Sequence, residues 1–187
     1  VGPVAVLVPV KAFAEAKVRL APALPPAERA ALAKEMAGRV LAAAGTLPVA
    51  VVCDDEGVAA WAIERGALVV HEPGRGLNGA VAAGVSHLAG LGARQVIVAH
   101  ADLPLATDLA WLADFPGVTL VPDRRRDGTN VACVPTDVPF AFSYGPGSFE
   151  RHVAEARATG RGLRVVHEPQ LAWDVDLPAD LDYASRR

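Results

Sequence analysis

Val4-Ala5-Val6-Leu7-Val8-Pro9-Val10 is an unbroken apolar run rich in valine. A strand with one wet face alternates apolar and polar residues, whereas a continuous apolar run of this length is how a strand buried on both faces of a parallel sheet reads. Outward from it, a stretch through Pro26 carries Lys11, Lys17 and Arg19, and Ala27 to Ala44 then repeats Ala, Leu, Met and Val at helical spacing. The alternation continues with strand Val49 to Cys53, helix Val58 to Arg65, strand Ala67 to Val70, helix Gly79 to Leu91 and strand Gln95 to Ala99. Beyond Asp102 the pattern predicts a helix from Thr107 to Ala113, strands Val118 to Val121 and Asn130 to Val134, and a short segment Phe140 to Ser143. A helix from Ser148 to Ala158, strand Leu163 to Val166 and a terminal helix from Pro178 to Ala184 follow. Repeated strand-helix-strand units predict one α/β domain over residues 1–187, a three-layer sandwich around a mostly parallel sheet.

Composition narrows the function classes. A length of 187 residues with 52% hydrophobic content suffices for one full core. The formal net charge of −3 provides no footprint for nucleic acid, and Arg124-Arg125-Arg126 is the one tight basic run. Cys53 and Cys133 lie in apolar runs, where buried free thiols are the rule, so a reducing, cytoplasmic setting is expected. Every hydrophobic run is interrupted by charge, Gly or Pro well short of the ~20 residues that span a bilayer, so no membrane association is expected. Oligomeric state stays open, a homodimer included.

Ligands of such sheets bind beyond the carboxyl ends of the strands, and the loops there hold the unusual residues. Lys11, Lys17 and Arg19 leave the first strand, where cations can clamp a polyphosphate, although on spacing alone a solvated surface loop is the commoner explanation. Val98-Ala99-His100-Ala101-Asp102 ends a buried strand in a carboxylate, and Asp174-Val175-Asp176 directs two carboxylates one way if extended. Such groups suit Mg²⁺, a hard ion that combines a few carboxylates with waters and substrate phosphates. Asp127-Gly128-Thr129-Asn130 and Gly145-Pro146-Gly147-Ser148 bring Gly-freed amides, hydroxyls and a helix start, a set suited to a small phosphorylated carboxylate, or to a turn and an N-cap. Gly74-Arg75-Gly76-Leu77-Asn78-Gly79 satisfies the dinucleotide fingerprint G-x-G-x-x-G, but in the third strand-helix unit and displaced from its strand by His71-Glu72-Pro73. The five histidines share no metal-ligand spacing, and His100 reads as a packed neighbour of Asp102 rather than a base.

Taken in order, Pro9-Val10-Lys11, Ala16-Lys17-Val18-Arg19-Leu20, Gly76-Leu77-Asn78, Ala101-Asp102-Leu103-Pro104, Asp127-Gly128-Thr129-Asn130, Gly145-Pro146-Gly147-Ser148-Phe149 and Asp174-Val175-Asp176-Leu177-Pro178 resemble the motifs of the 2-phospholactate / phosphoenolpyruvate guanylyltransferase family, from residue 4 to about 182. The resemblance implies a nucleotide-diphospho-sugar transferase-like fold, related to the molybdenum-cofactor guanylyltransferases. It also implies transfer of GMP from GTP to the phosphate of a three-carbon acid, phosphoenolpyruvate or 2-phospho-L-lactate, with release of pyrophosphate, in synthesis of the 8-hydroxy-5-deazaflavin coenzyme. On this likeness Lys11, Lys17 and Arg19 hold the triphosphate, Asn78 lies near the nucleoside, and Asp102 and Asp176, with Asp174, hold Mg²⁺. Lys17, Arg19 and Asp102 act in catalysis, and Gly128, Thr129, Gly145 and Ser148 hold the acceptor. Val18 departs from the pattern, since relatives often have Ser there, and the Arg124–Arg126 run is longer than usual. The alternatives are another nucleotidyltransferase of the same fold, acting on a sugar phosphate or a molybdopterin, and a dinucleotide-binding oxidoreductase.

Overall fold

The computed structural model describes residues 1–186. Its strands are β1 (Val4–Pro9), β2 (Val49–Cys53), β3 (Leu68–His71), β4 (Gln95–Ala99), β5 (Val118–Pro122), β6 (Thr129–Pro135) and β7 (Leu163–Val165). They form one sheet in the order β3-β2-β1-β4-β6-β5-β7, in which β6 alone runs against its neighbours. The helices are α1 (Pro26–Ala43), α2 (Glu56–Ile63), α3 (Gly76–Gly90), α4 (Ser148–Ala158) and a short α5 (Pro169–Ala172). No described helix is long and apolar enough to cross a membrane.

The unbroken apolar character of β1 has the expected cause. Val6 and Val8 pack with Ala37 and Val40 of α1 and Trp61 of α2, whereas Ala5 and Leu7 face Val81 and Leu88 of α3. All four β1 residues are 0% exposed, so each side of the strand is sealed by a helical layer. Helix starts carry the usual local signals. Pro26 occupies the first position of α1, and Asp55 Oδ1 accepts the Val58 N–H at 2.8 Å to cap α2.

α3 lies close on β1 because residue 84 lacks a side chain. A Cβ there would stand 2.6 Å from Leu7 Cδ2, inside a filled core. Gly84→Val is therefore expected to destabilise the fold by about 1–3 kcal/mol, the cost of overpacking, read as a lower denaturant midpoint at unchanged slope.

Two sequence expectations are corrected. The helix expected over Thr107 to Ala113 is a 3₁₀ turn, Ala110–Asp114, because the Leu109 N–H binds Ala43 O and the Ala110 N–H binds the Asp108 side chain. The short segment Phe140 to Ser143 is irregular chain fastened to α4, since its Ala141 and Ser143 N–H groups donate to Glu155 and His152. The terminal helix is 3₁₀ over Pro178–Arg186. The loop after β1 holds two 3₁₀ turns, Phe13–Glu15 and Val18–Leu20.

Candidate active site

Where β1 and β4 end, a cleft of about 380 Å³ is lined by Lys11, Lys17, Arg19, Leu77, His100, Asp102 and Asp176. Its centre is an ammonium held between two carboxylates. Lys17 Nζ lies 2.5 Å from Asp102 Oδ2 and 3.2 Å from Asp176 Oδ1, and Arg19 reaches Asp176 at 3.8 Å. Lys17 has left-handed backbone angles (φ 56°, ψ 39°), which cost a non-glycine residue free energy and persist only where the surroundings fix them. The fixing comes from the next turn. The Leu20 N–H bonds Lys17 O, and the Leu20 side chain is fully buried with Met36 and Val175.

The two carboxylates arrive from distant segments that are tied together. The Val175 N–H donates to Asp102 O at 3.2 Å. Asp180, fully buried, accepts the Asp176 and Leu177 N–H groups at 2.9 and 2.7 Å and pairs with Arg124 and Arg125. Arg124 also lies 4.1 Å over the Trp173 ring and donates to Asp174 O. The basic run thus braces the Asp174–Asp176 loop from the turn between β5 and β6.

Burial alone lowers the pKa of Lys17, yet the charges of Asp102 and Asp176 outweigh it and the net shift is upward. Burial likewise raises Asp102, but Lys17 and His100 outweigh it and hold the carboxyl below its ordinary value. Asp174 has no such basic partner for its carboxylate among the described residues: burial first, then the negative charge of Asp102, pushes it up to about 6. Asp102 Oδ1 and Asp174 Oδ1 are both buried without a hydrogen-bond partner. Two orphaned carboxylate oxygens and a half-exposed Asp176 are a donor set that a hard divalent cation fits. Among the described residues no three such side chains converge as a metal cage.

The raised Asp174 makes a stability prediction for the metal-free protein. Its folded pKa of about 6 lies above the ordinary value of 3.8, so stability falls as pH rises from the latter through the former and is level above. Asp174→Asn is expected to be more stable than the parent above pH 6 and to lose that advantage near pH 4, as read by denaturant midpoints across pH. Equal midpoints at all pH values would refute the burial of an uncompensated charge.

The residues expected to hold the acceptor form a second cluster, beside the cleft and not among its lining. Because β6 is reversed, its first residue Thr129 lies at the same edge as the end of β4, and the His100 N–H binds Asn130 O at 3.0 Å. The rings of His100 and Tyr144 (4.8 Å) and of Tyr144 and His152 (4.8 Å) join the cleft to this cluster. Thr129 and Ser148 are 1% and 2% exposed, and Gly145 and Gly147 hold φ values of 120° and 69° that other residues rarely adopt. Several donors expected to face a ligand are already engaged. The Gly128 N–H binds Asp123 Oδ2 at 2.8 Å, the Gly147 N–H binds Asp127 Oδ1, and the Ser148 N–H binds Gly145 O. In this state Asp127 serves the helix start as its anion. Asn78, expected near the nucleoside, accepts the Tyr144 N–H on Oδ1 at 2.7 Å and so fastens the 140s loop to α3. The G-x-G-x-x-G stretch is the tight start of α3, with Gly74 and Gly76 at positive φ.

Sequence reasoning passed over Asp180 and His152. A carboxylate six residues beyond Asp174 and a helical histidine carry no spacing signal; only their buried partners mark them.

This sheet order and a cation-carboxylate cleft at its carboxyl edge define a nucleotidyltransferase fold. A protein described as a nucleotide-diphospho-sugar transferase from Desulfovibrio desulfuricans superposes with a TM-score of 0.78 at 15% identity, covering 100% of this chain and 87% of that one. A nucleotidyl transferase from Methanothermobacter thermautotrophicus gives 0.64 at 17%, covering 98% and 95%. Residues 4–183 match the family described as guanylyl transferase CofC like, and the chain belongs to that family. Phosphoenolpyruvate guanylyltransferases of Sphaerobacter thermophilus and Rubrobacter xylanophilus are 37% and 38% identical, over 94% of this chain and 89% and 90% of theirs. The 2-phospho-L-lactate guanylyltransferase of Methanothermobacter thermautotrophicus is 32% identical, over 94% and 81%.

Proposed function

We propose that the protein transfers GMP from GTP to the phosphate of phosphoenolpyruvate, or of 2-phospho-L-lactate, with Mg²⁺ and release of pyrophosphate, as a step in making a deazaflavin coenzyme. The observation that carries this reading is Lys17 bracketed by Asp102 and Asp176 at the mouth of a cleft that also holds Lys11 and Arg19, in a chain of this family. An oxygen of the acceptor phosphate attacks the α-phosphorus in line; the new P–O bond forms as the bond to the β-phosphate bridging oxygen breaks. That phosphate is anionic at neutral pH and needs no general base, so the protein's work is to place it within ~3–3.5 Å and to neutralise charge. Lys11, Lys17 and Arg19 face the phosphates and meet the charge that moves onto pyrophosphate. Asp102 and Asp176, with Asp174, would hold Mg²⁺, which would supply Lewis-acid polarisation of the phosphates when bound. Thr129, Gly145 and Ser148 bind the acceptor's anionic oxygens on the Tyr144 side.

Pyrophosphate release from GTP, Mg²⁺ and each of phosphoenolpyruvate, 2-phospholactate and 3-phosphoglycerate tests the reading. Turnover is expected with one of the first two. Absence of release with all three, or equal use of the other nucleoside triphosphates, would overturn it.

A further inference from the structure

His152 on α4 is fully buried and takes no part in the mechanism above, yet both of its ring nitrogens are engaged. Nε2 lies 2.9 Å from the Ser143 backbone N–H, and Nδ1 lies 3.0 Å from Thr129 Oγ1. A backbone N–H can only donate, so Nε2 must present its lone pair, and in a neutral imidazole the proton is then on Nδ1. The ring is kept neutral: burial, followed by the positive charge of His100 and Arg151, lowers its pKa to about 4. The rings of Phe140, Phe142 and Tyr144 pack around it. Nδ1–H therefore donates to Thr129, and the Thr129 hydroxyl, having received that bond, must direct its own hydrogen elsewhere. Thr129 is 1% exposed, and no protein acceptor for that hydrogen is found among the described residues. A buried donor without a partner costs about 1–3 kcal/mol, so this hydrogen awaits an oxygen from outside the chain.

We propose that His152 is a positioning residue for the acceptor: by donating Nδ1–H to Thr129 it compels the Thr129 hydroxyl to donate to an anionic oxygen, phosphate or carboxylate, of that substrate. The inference rests on the functional reading above, which places the acceptor at Thr129. It deepens that reading by giving the site a fixed polarity. With the opposite tautomer Thr129 would offer its lone pair to an oxyanion and repel it. The same imidazole holds Ser143, next to Tyr144 and Gly145, so one buried ring sets both walls of the acceptor cluster.

Two isosteric substitutions separate the roles of the two nitrogens. In His152→Asn the amide nitrogen stands near the position of Nδ1 and retains donation to Thr129. In His152→Gln the amide oxygen stands near Nε2 and retains the bond from Ser143 while the Thr129 bond is lost. The expected result is an acceptor KM raised about ten-fold or more in His152→Gln, as for loss of one hydrogen bond to a charged group, with GTP KM within about two-fold of the parent. His152→Asn is expected to lie nearer the parent, and in a Thr129→Val background His152→Gln is expected to add almost nothing. A purely structural role reverses the order of the two variants and makes the effects of His152→Gln and Thr129→Val additive; either outcome overturns the proposal. Nitrogen-15 correlation spectra of the parent protein provide an arm independent of turnover. A protonated Nδ1 and bare Nε2 are expected, and the opposite tautomer overturns the proposal. Should the parent fail to use any of the three acceptors, the functional reading fails while the tautomer remains measurable by itself.

Discussion

Asp102→Asn is expected to lower kcat by about 10³-fold or more at saturating Mg²⁺ while the fold is retained, the scale seen when a preorganised electrostatic contact to the reacting phosphates is removed. The carboxylate is the tightest partner of Lys17 and has one buried oxygen without a protein partner. Asparagine keeps the shape but removes the charge that both Lys17 and a divalent cation require, leaving the ammonium to the more exposed Asp176. Asp176→Asn should follow in the same direction and by less, because its side chain is 42% exposed and water screens it. Steady-state pyrophosphate release across a Mg²⁺ titration, with circular dichroism as a fold control, decides the matter. Near-parental kcat in Asp102→Asn would remove this residue from the machinery.

Lys17→Ala is expected to reduce kcat by about 10²–10³-fold and to raise the KM for GTP far less, as for a contact that strengthens while charge moves onto the leaving pyrophosphate. A pure KM effect would reassign Lys17 to ground-state binding. The geometry adds a second, opposite effect in the resting protein. With the ammonium gone, Asp102 and Asp176 keep only the looser Arg19 contact to Asp176 as counter-charge, so a divalent cation alone should stabilise Lys17→Ala more than the parent, as read by thermal shift with Mn²⁺ or Mg²⁺ and no nucleotide. Lys17→Gly is the control for the left-handed backbone. It loses the same charge yet accepts φ 56° freely, so it should be more stable than Lys17→Ala by about 1 kcal/mol at equal kcat.

Much of the fold was legible because burial on both faces leaves an unmistakable pattern. β2 and β4 have the bounds their apolar runs predict, and α4 spans Ser148 to Ala158 as its helical spacing predicts. Thr107 to Ala113 misled because apolar spacing cannot show that the Leu109 and Ala110 amides are claimed by Ala43 and Asp108. At the site, Lys17, Asp102 and Asp176 were each singled out from the sequence, but that the ammonium lies between the two carboxylates is visible only in the fold. The polarity of the acceptor cluster was not legible. A glycine in a turn advertises a free amide, but only the fold shows that Asp123 takes the one at Gly128 and that Asp127 takes the one at Gly147. Arg124 and Arg125 likewise read only as a tight basic run, whereas their guanidinium groups close on buried Asp180.

The reversed strand β6 has an architectural consequence. Running against its neighbours, it delivers its beginning, not its end, to the edge where β4 releases Asp102, and the turn that precedes it is a hairpin between β5 and β6. Hairpin turns tolerate exchange and length change without altering the strands they join, because strand register is held by the ladder on either side. Residues 123–128 are held more firmly than such turns usually are: Arg124 and Arg125 close on Asp180, and Asp123 and Asp127 accept the Gly128 and Gly147 N–H groups, so this one turn couples the loop that carries Asp174 and Asp176 to the start of α4.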